Sequence, residues 1–243
     1  VNYSDGFRSA EEKERYIQST FSSIAGHYDA MNQWMTFYLD RRWRKKTALI
    51  SAVPIKGRAL DVCCGTGELS HCLAEQVSLQ GEVTALDFNE DMLAVARKKQ
   101  QKNRIHGNIT FLQGNAMELP FDDNSFDTAT IGFGLRNVPD FRQVLGEMMR
   151  VIRPGGTVVS LETAKPDAFI IKDMHKLYVK QLVPLLDKLS GGPKGPYAWL
   201  ARSAQSFLPQ EELAQEFRAL GLEKVRYHNL LGGAVAIHVG FKR

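Results

Sequence analysis

Cysteine is scarce: the 243 residues contain three, Cys63, Cys64 and Cys72. Two are adjacent and the third follows closely, so they make neither a disulfide framework nor a ligand set of familiar zinc spacing. They read as small buried residues of a cytoplasmic protein, and no metal is expected. Long apolar runs are missing too. No stretch approaches the roughly 20 residues needed to span a bilayer, so any membrane contact must be peripheral. No secretory leader is expected, and there is no internal repeat or low-complexity segment. Charge of one sign is not in great excess. A formal net charge of +4, concentrated in one helix, offers no broad basic groove and speaks against a nucleic-acid partner.

What is present suits a single domain over residues 1–243, since 44% hydrophobic and 24% charged residues allow a sizeable core. The local basic run Arg41, Arg42, Arg44, Lys45 and Lys46 surrounds Trp43. It reads either as a solvated helix face or as a basic helix that rests, with its aromatic, on an anionic membrane surface.

The richest segment is Leu60-Asp61-Val62-Cys63-Cys64-Gly65-Thr66-Gly67, a short β-prone run that breaks into a glycine turn. Leu69, Cys72, Leu73 and Val77 then recur at helical spacing, and a second strand, Glu82 to Leu86, ends at Asp87. Such a βαβ unit places a ligand beyond the carboxyl ends of its strands. Gly65 and Gly67 let backbone approach that ligand, and the Asp87 carboxylate can accept hydrogen bonds from ribose hydroxyls. One reading is an ordinary tight turn of small residues. A dinucleotide site would want a third glycine where Ser70 stands. S-adenosylmethionine has no phosphate and carries positive charge, so Asp61 near the turn would attract it.

Further alternation follows. A helix from Asp91 runs into a basic stretch to Arg104; strands are expected at Ile109 to Leu112, Thr128 to Phe133 and Thr157 to Leu161. The helix Phe141 to Ile152 precedes a turn at Arg153-Pro154-Gly155-Gly156. A helix Glu211 to Leu220 leads to an antiparallel pair, Val225 to Leu230 and Ala234 to Phe241. The fold class is therefore α/β: a doubly wound, mostly parallel seven-stranded sheet whose last strand is antiparallel. In such a sheet Asn115 and Ala116 share the ligand edge with Asp87, where an adenine ring could be read.

The chain resembles the class I methyltransferases that use S-adenosylmethionine, and within them the ubiquinone and menaquinone biosynthesis C-methyltransferases. Phe21 to Asn32, Leu60 to Gly67, Gly114 to Phe121, Ile131 to Pro139, Arg153 to Gly156, Tyr197 to Ser203 and Gly232 to His238 carry the resemblance in order. The Cys63-Cys64 turn and the run Asn115 to Phe121 are most similar to bacterial demethylmenaquinone methyltransferases. The resemblance implies a Rossmann-like enzyme that C-methylates a reduced demethylmenaquinone in the last step of menaquinone biosynthesis. Methylation of a ubiquinone precursor or another lipid quinol or small phenol is the alternative, and an NAD-binding oxidoreductase is more remote.

That resemblance assigns Thr66, Asp87, Asn115 and Ala116 to S-adenosylmethionine, with Asp61, Gly65 and Gly67 completing the cofactor turn; some relatives have serine where this chain has Gly132. A ring carbon becomes nucleophilic once the neighbouring hydroxyl is deprotonated or polarised. Arg136, on the strand tip with Asn137, is expected to stabilise the developing oxyanion. His238 or His228 is expected as the base. Tyr28, Asp29 and Asn32 belong to a cap made by residues 1–50. Residues 164–208 are expected to form a helical lid for a lipid quinol, with apolar positions from Phe169 to Leu186 and a hinge at Gly191 to Pro196. A homodimer and membrane association of a cytoplasmic protein complete the expectations.

Overall fold

The computed structural model describes residues 7–103, 108–166 and 196–243. Seven strands form one sheet: β1 (Arg58–Val62), β2 (Glu82–Asp87), β3 (Ile109–Gln113), β4 (Phe126–Gly132), β5 (Ile152–Thr163), β6 (Glu223–Leu230) and β7 (Val235–Phe241). Their order is β3-β2-β1-β4-β5-β7-β6, parallel across the first five, with β7 antiparallel to both of its neighbours. The chain starts at β1 in mid-sheet, builds outward to β3, then crosses back to β4. Sequence reversal at the β1/β4 boundary opens a crevice at the strand ends, the position where open α/β sheets bind ligands.

Side chains alternate across a strand, and both faces of this sheet are covered. Leu60, Val62, Leu86, Ile131 and Val158 point to one side, against α6 (Phe141–Val151) and α8 (Gln210–Ala219). Ala59, Val83 and Ala85 point to the other, against α3 (Leu39–Ile50), α4 (Glu68–Val77) and α5 (Glu90–Asn103). Asp61 shares the parity of Ala59 and therefore faces α4. Two further helices, α1 (Ala10–Ile24) and α2 (Tyr28–Met35), pack with α7 (Pro196–Ser206) over the strand ends through Ile17, Ile24, Phe21, Met31, Trp199 and Leu200.

Local chemistry sets the boundaries. Ser9 caps α1 by accepting the Glu12 N–H, and Asp140 caps α6 by accepting those of Arg142 and Gln143. Past α8, Gly221 takes φ +92° and its N–H reaches the Arg218 carbonyl, a left-handed helix stop.

Two expectations need correction. Arg153 to Gly156 is not a separate turn: β5 runs unbroken from Ile152, with a register shift against β4 between Phe126 and Thr128. Gly155 and Gly156 continue the pairing with Lys242, so these glycines form a bulge rather than a reversal. Nor does Trp43 meet solvent. It is buried with Val159, Leu161 and Ile237, and Arg44 beside it is buried as well, leaving only Arg41, Arg42, Lys45 and Lys46 of that run exposed. The expected lid lies largely outside the described residues, which resume at α7. Among the described residues no helix is long and apolar enough to cross a membrane.

Candidate functional site

A cavity opens at the carboxyl ends of β1, β2, β3 and β4. Cys63, Gly65, Leu86, Asp87, Asn115, Ala116, Gly132, Phe133 and Asn137 form its floor; Phe88, Met92 and Met117 form its sides; Glu14, Ile17, Phe21 and Tyr28 close it from α1 and α2.

Strand β1 ends in two left-handed residues, Cys63 (φ +53°) and Gly65 (φ +56°). The first is uncommon for a residue with a Cβ and marks a turn held by its surroundings. The Gly65 N–H then donates to Asp87 Oδ2 at 2.8 Å, while the Asn89 N–H donates to Asp87 Oδ1 at 2.9 Å. Thus Asp87 both fixes the turn and faces the cavity. Burial raises its pKa to about 6, opposed by those N–H donors. At Gly67 (φ +81°) a Cβ would stand 3.0 Å from the Phe111 ring, so α4 begins there on a residue without one.

Asp61 does not reach the cavity wall. It lies 1% exposed beneath the turn, where Ser70 Oγ donates to Oδ2 at 2.6 Å and Thr130 Oγ1 to Oδ1 at 3.1 Å. Burial raises its pKa to about 6. The serine that replaces a third glycine is thus a hydrogen-bond partner for the strand's acid. Thr66 is likewise turned away from the floor: its Oγ1 donates to Asp29 Oδ1 at 2.5 Å, and Lys99 bridges Asp29 and Glu68 at 2.7 and 2.6 Å. This chain of polar contacts ties α2 to the glycine turn. Asn115 and Ala116 do line the cavity, and Asn115 Oδ1 accepts the Met117 N–H at 2.9 Å, which shapes the loop after β3.

At the β4 tip, Asn137 faces the cavity and Arg136 does not. Arg136 is buried, donates to the Phe133 carbonyl at 2.9 Å and pairs with the buried carboxylate of Glu162 on β5. It therefore braces the turn from behind, held there by the Phe133 carbonyl and Glu162. Asn137 Nδ2 donates to the Phe133 carbonyl at 3.1 Å. Tyr28 stands on the wall with its ring edge-on to Phe21 at 5.8 Å between centroids. Asn32 lies a turn farther along α2, off the wall.

Neither histidine joins them. His238 on β7 is 1% exposed; Nε2 is 2.8 Å from the Gln210 carbonyl oxygen, and burial lowers its pKa to about 4. It packs toward α8, distant from the β1/β4 crevice. His228 is exposed on the edge strand β6. Sequence reading missed Glu14, Ile17 and Phe21, although their i, i+3, i+7 spacing on an amphipathic helix was the available signal.

These walls fit a sulfonium nucleoside. A hydrogen-bonded carboxylate at the β2 tip suits a ribose diol, apolar Leu86, Phe88, Met92 and Ala116 suit a purine, and the bared backbone at Gly65 suits close approach.

The model of the ubiE/COQ5 methyltransferase family matches residues 9–242. A demethylmenaquinone methyltransferase of Bacillus licheniformis is 45% identical over 233 residues, covering 96% of this chain and 99% of that one. Another, of Desulfitobacterium hafniense, is 47% identical over 234 residues, 96% of this chain and 92% of that one. Among solved structures, a SAM dependent methyltransferase from Aquifex aeolicus aligns with a TM-score of 0.61 at 18% identity, covering 82% of this chain and 89% of that one. An O-methyltransferase family protein from Burkholderia thailandensis gives 0.62 at 16%, covering 92% and 62%. Those two likenesses concern the fold.

Proposed function

The chain belongs to the ubiE/COQ5 methyltransferase family, and from that premise we propose that it transfers the methyl group of S-adenosylmethionine to a ring carbon of a reduced demethylmenaquinone, giving menaquinol and S-adenosylhomocysteine. The observation that carries this reading is the single cavity wall shared by Asp87, Asn115 and Ala116 on the cofactor side and by Asn137, Tyr28 and Phe21 on the other. When bound, the sulfonium supplies an electrophilic methyl group.

The protein's own residues do the rest. Asp87, Gly65, Asn115 and Ala116 hold the nucleoside, while the apolar cap residues Ile17, Phe21 and Tyr28 exclude water and pack the naphthoquinol ring. In-line placement of carbon and methyl is worth on the order of 7–11 kcal/mol in favourable intramolecular reactions. Loss of the ring hydroxyl's proton drives electron density onto the carbon. Glu14 and Tyr28 are the titratable groups that the cap brings to the wall, and with both histidines elsewhere the proton transfer is assigned to them. One amide N–H of Asn137 is engaged by the Phe133 carbonyl, and the second serves the ring oxygen. Arg136 acts through Asn137, by fixing the turn that carries it.

A lipid quinol also needs a route from its bilayer. At the end of α2 and in its connection to α3, Trp34, Phe37 and Tyr38 are 65%, 73% and 57% exposed, near the exposed Arg41 and Arg42 of α3. Large aromatics next to cations suit the headgroup region of an anionic membrane. Tyr28 on the cavity wall and Trp34 at this surface belong to the same helix. Hence the aromatic partner of the basic run is this exposed trio, in place of Trp43.

Incubation with methyl-labelled S-adenosylmethionine and a reduced short-tail demethylmenaquinone is expected to yield labelled menaquinol. No label in quinone under strictly reducing conditions would sink the proposal.

A further inference from the structure

We propose that Arg44 binds the carboxylate of the amino-acid half of S-adenosylmethionine. The inference rests on the cofactor reading above.

Helix α3 turns Arg41, Arg42, Lys45 and Lys46 to solvent and Trp43, Arg44 and Thr47 inward. Arg44 is 7% exposed, and its Nε is buried with no hydrogen-bond partner. The nearest carboxylate, Asp40, lies 3.8 Å from that nitrogen, beyond hydrogen-bond reach. Its guanidinium carbon sits 5.4 Å from the centroid of the Phe133 ring, and Nη1 is 3.5 Å from the point where a Cβ on Gly132 would be. Gly132 and Phe133 both line the cavity. Arg44 is not itself a lining side chain; it abuts the wall from behind Gly132, which places no side chain there.

A buried guanidinium is costly, and one whose ion pair among the described residues stands at 3.8 Å and leaves Nε without an acceptor has capacity for an anionic ligand. Other cations near the cavity are already matched: Lys99 by Asp29 and Glu68, Arg136 by Glu162. Asp61 accepts from Ser70 and Thr130 and forms no ion pair with Arg44. Position selects the anion. Asp87 takes the ribose at the tip of β2, and Gly132 ends β4, two strands away in the order β2-β1-β4. At about 4.8 Å per strand the separation is roughly 10 Å, a span that an extended sulfonium nucleoside covers from ribose to carboxylate. A planar guanidinium is the side chain best matched to a carboxylate there.

The test is calorimetric and needs no turnover. Wild-type protein is titrated with S-adenosylmethionine and with its decarboxylated analogue, which lacks only the carboxylate. The wild type is expected to prefer the carboxylated ligand by about tenfold or more, the size of one charge-assisted hydrogen bond. Arg44→Met should abolish that preference by weakening S-adenosylmethionine alone, and Arg44→Lys should keep part of it. Equal affinity of the wild type for both ligands overturns the proposal without any variant being made. So does an equal loss for both ligands in Arg44→Met. If the wild type binds neither, the cofactor reading itself fails, a result distinct from either.

Discussion

The indole Nε1–H of Trp199 donates to Oδ1 of Asn137 across 3.1 Å, so the α7 helix and the β4 tip are joined inside the protein at a residue that faces the cavity. Trp199 is 2% exposed and meets Phe7 and Tyr16 edge-on at 5.4 Å. The amide of Asn137 is thereby fixed at both ends, by the Phe133 carbonyl and by the indole. Order in α7 and order at the reacting wall are thus one property. Replacing Trp199 with phenylalanine preserves much of the packing and leaves Oδ1 without its donor. A buried unsatisfied acceptor costs about 1–3 kcal/mol. The expected outcome is a lower melting temperature and a fall in turnover with S-adenosylmethionine affinity nearly unchanged. Calorimetric titration beside steady-state rates separates the two.

Acid should loosen the cofactor. Asp87 has its pKa raised by burial from 3.8 to about 6, and ribose hydroxyls and a cationic ligand favour its charged form. Binding therefore releases a proton when the free protein holds one. Affinity for S-adenosylmethionine is expected to be flat above pH 6 and to fall as pH drops below it, and Asp87→Asn should remove that pH dependence along with most of the affinity. Stability of the ligand-free protein runs the opposite way. Asp61 and Asp87 both bind protons more tightly folded than unfolded, so their ionisation opposes folding in full above about pH 6, and the penalty fades as pH falls toward 3.8. Titrations from pH 5 to 8 with melting curves at each pH would check both signs.

Arg136 supports the wall from behind, and its removal should appear first as lost stability. Arg136 and Glu162 are 8% and 1% exposed in their side chains. Truncating one partner strands the other, at a cost of about 3–5 kcal/mol. Arg136→Ala is expected to lower stability and turnover together, and Arg136→Met with Glu162→Gln to recover most of the stability. Chemical denaturation of the single and double variants gives the comparison. Full stability in Arg136→Ala would return the residue to a direct role in the chemistry.

The sheet was legible because its strands are short, buried and punctuated by glycine, and period-two alternation then set which face each residue meets. Asp87, Asn115 and Ala116 could be placed at the strand ends for the same reason. Arg136 could not be separated from Asn137, because a strand tip in a turn has no regular parity left to read. His238 misled because β7 is buried on both faces, so a polar residue there looks poised for chemistry when it is simply bonded to the Gln210 carbonyl. Arg44 was hidden among like charges: in a helix with five cations close together, only the inward phase of Trp43 and Thr47 reveals which one leaves the surface. The Glu14, Ile17 and Phe21 stripe needed the tertiary placement of α1 to become a cavity wall.

Membrane contact should depend on the aromatic trio and on two arginines. Trp34, Phe37 and Tyr38 together present three large exposed rings, and φ values of +51° and +62° at Phe37 and Tyr38 hold the α2–α3 connection in a left-handed turn that displays them. Such a conformation is disfavoured for aromatic residues, which fits a segment shaped for contact rather than for local stability. Replacing all three with serine removes the apolar insertion; replacing Arg41 and Arg42 with glutamine removes about 1 kcal/mol of attraction per charge at an anionic surface. Co-sedimentation with vesicles is expected to show the wild type bound to those containing phosphatidylserine and weakly to neutral phosphatidylcholine. The glutamine variant should lose that lipid preference, and the serine variant should lose binding to both. Turnover of a short-tail quinol in solution should stay near the wild-type rate in each, while turnover of a long-tail quinol in vesicles should fall. Unchanged binding in the serine variant would place the membrane-facing surface elsewhere on the protein.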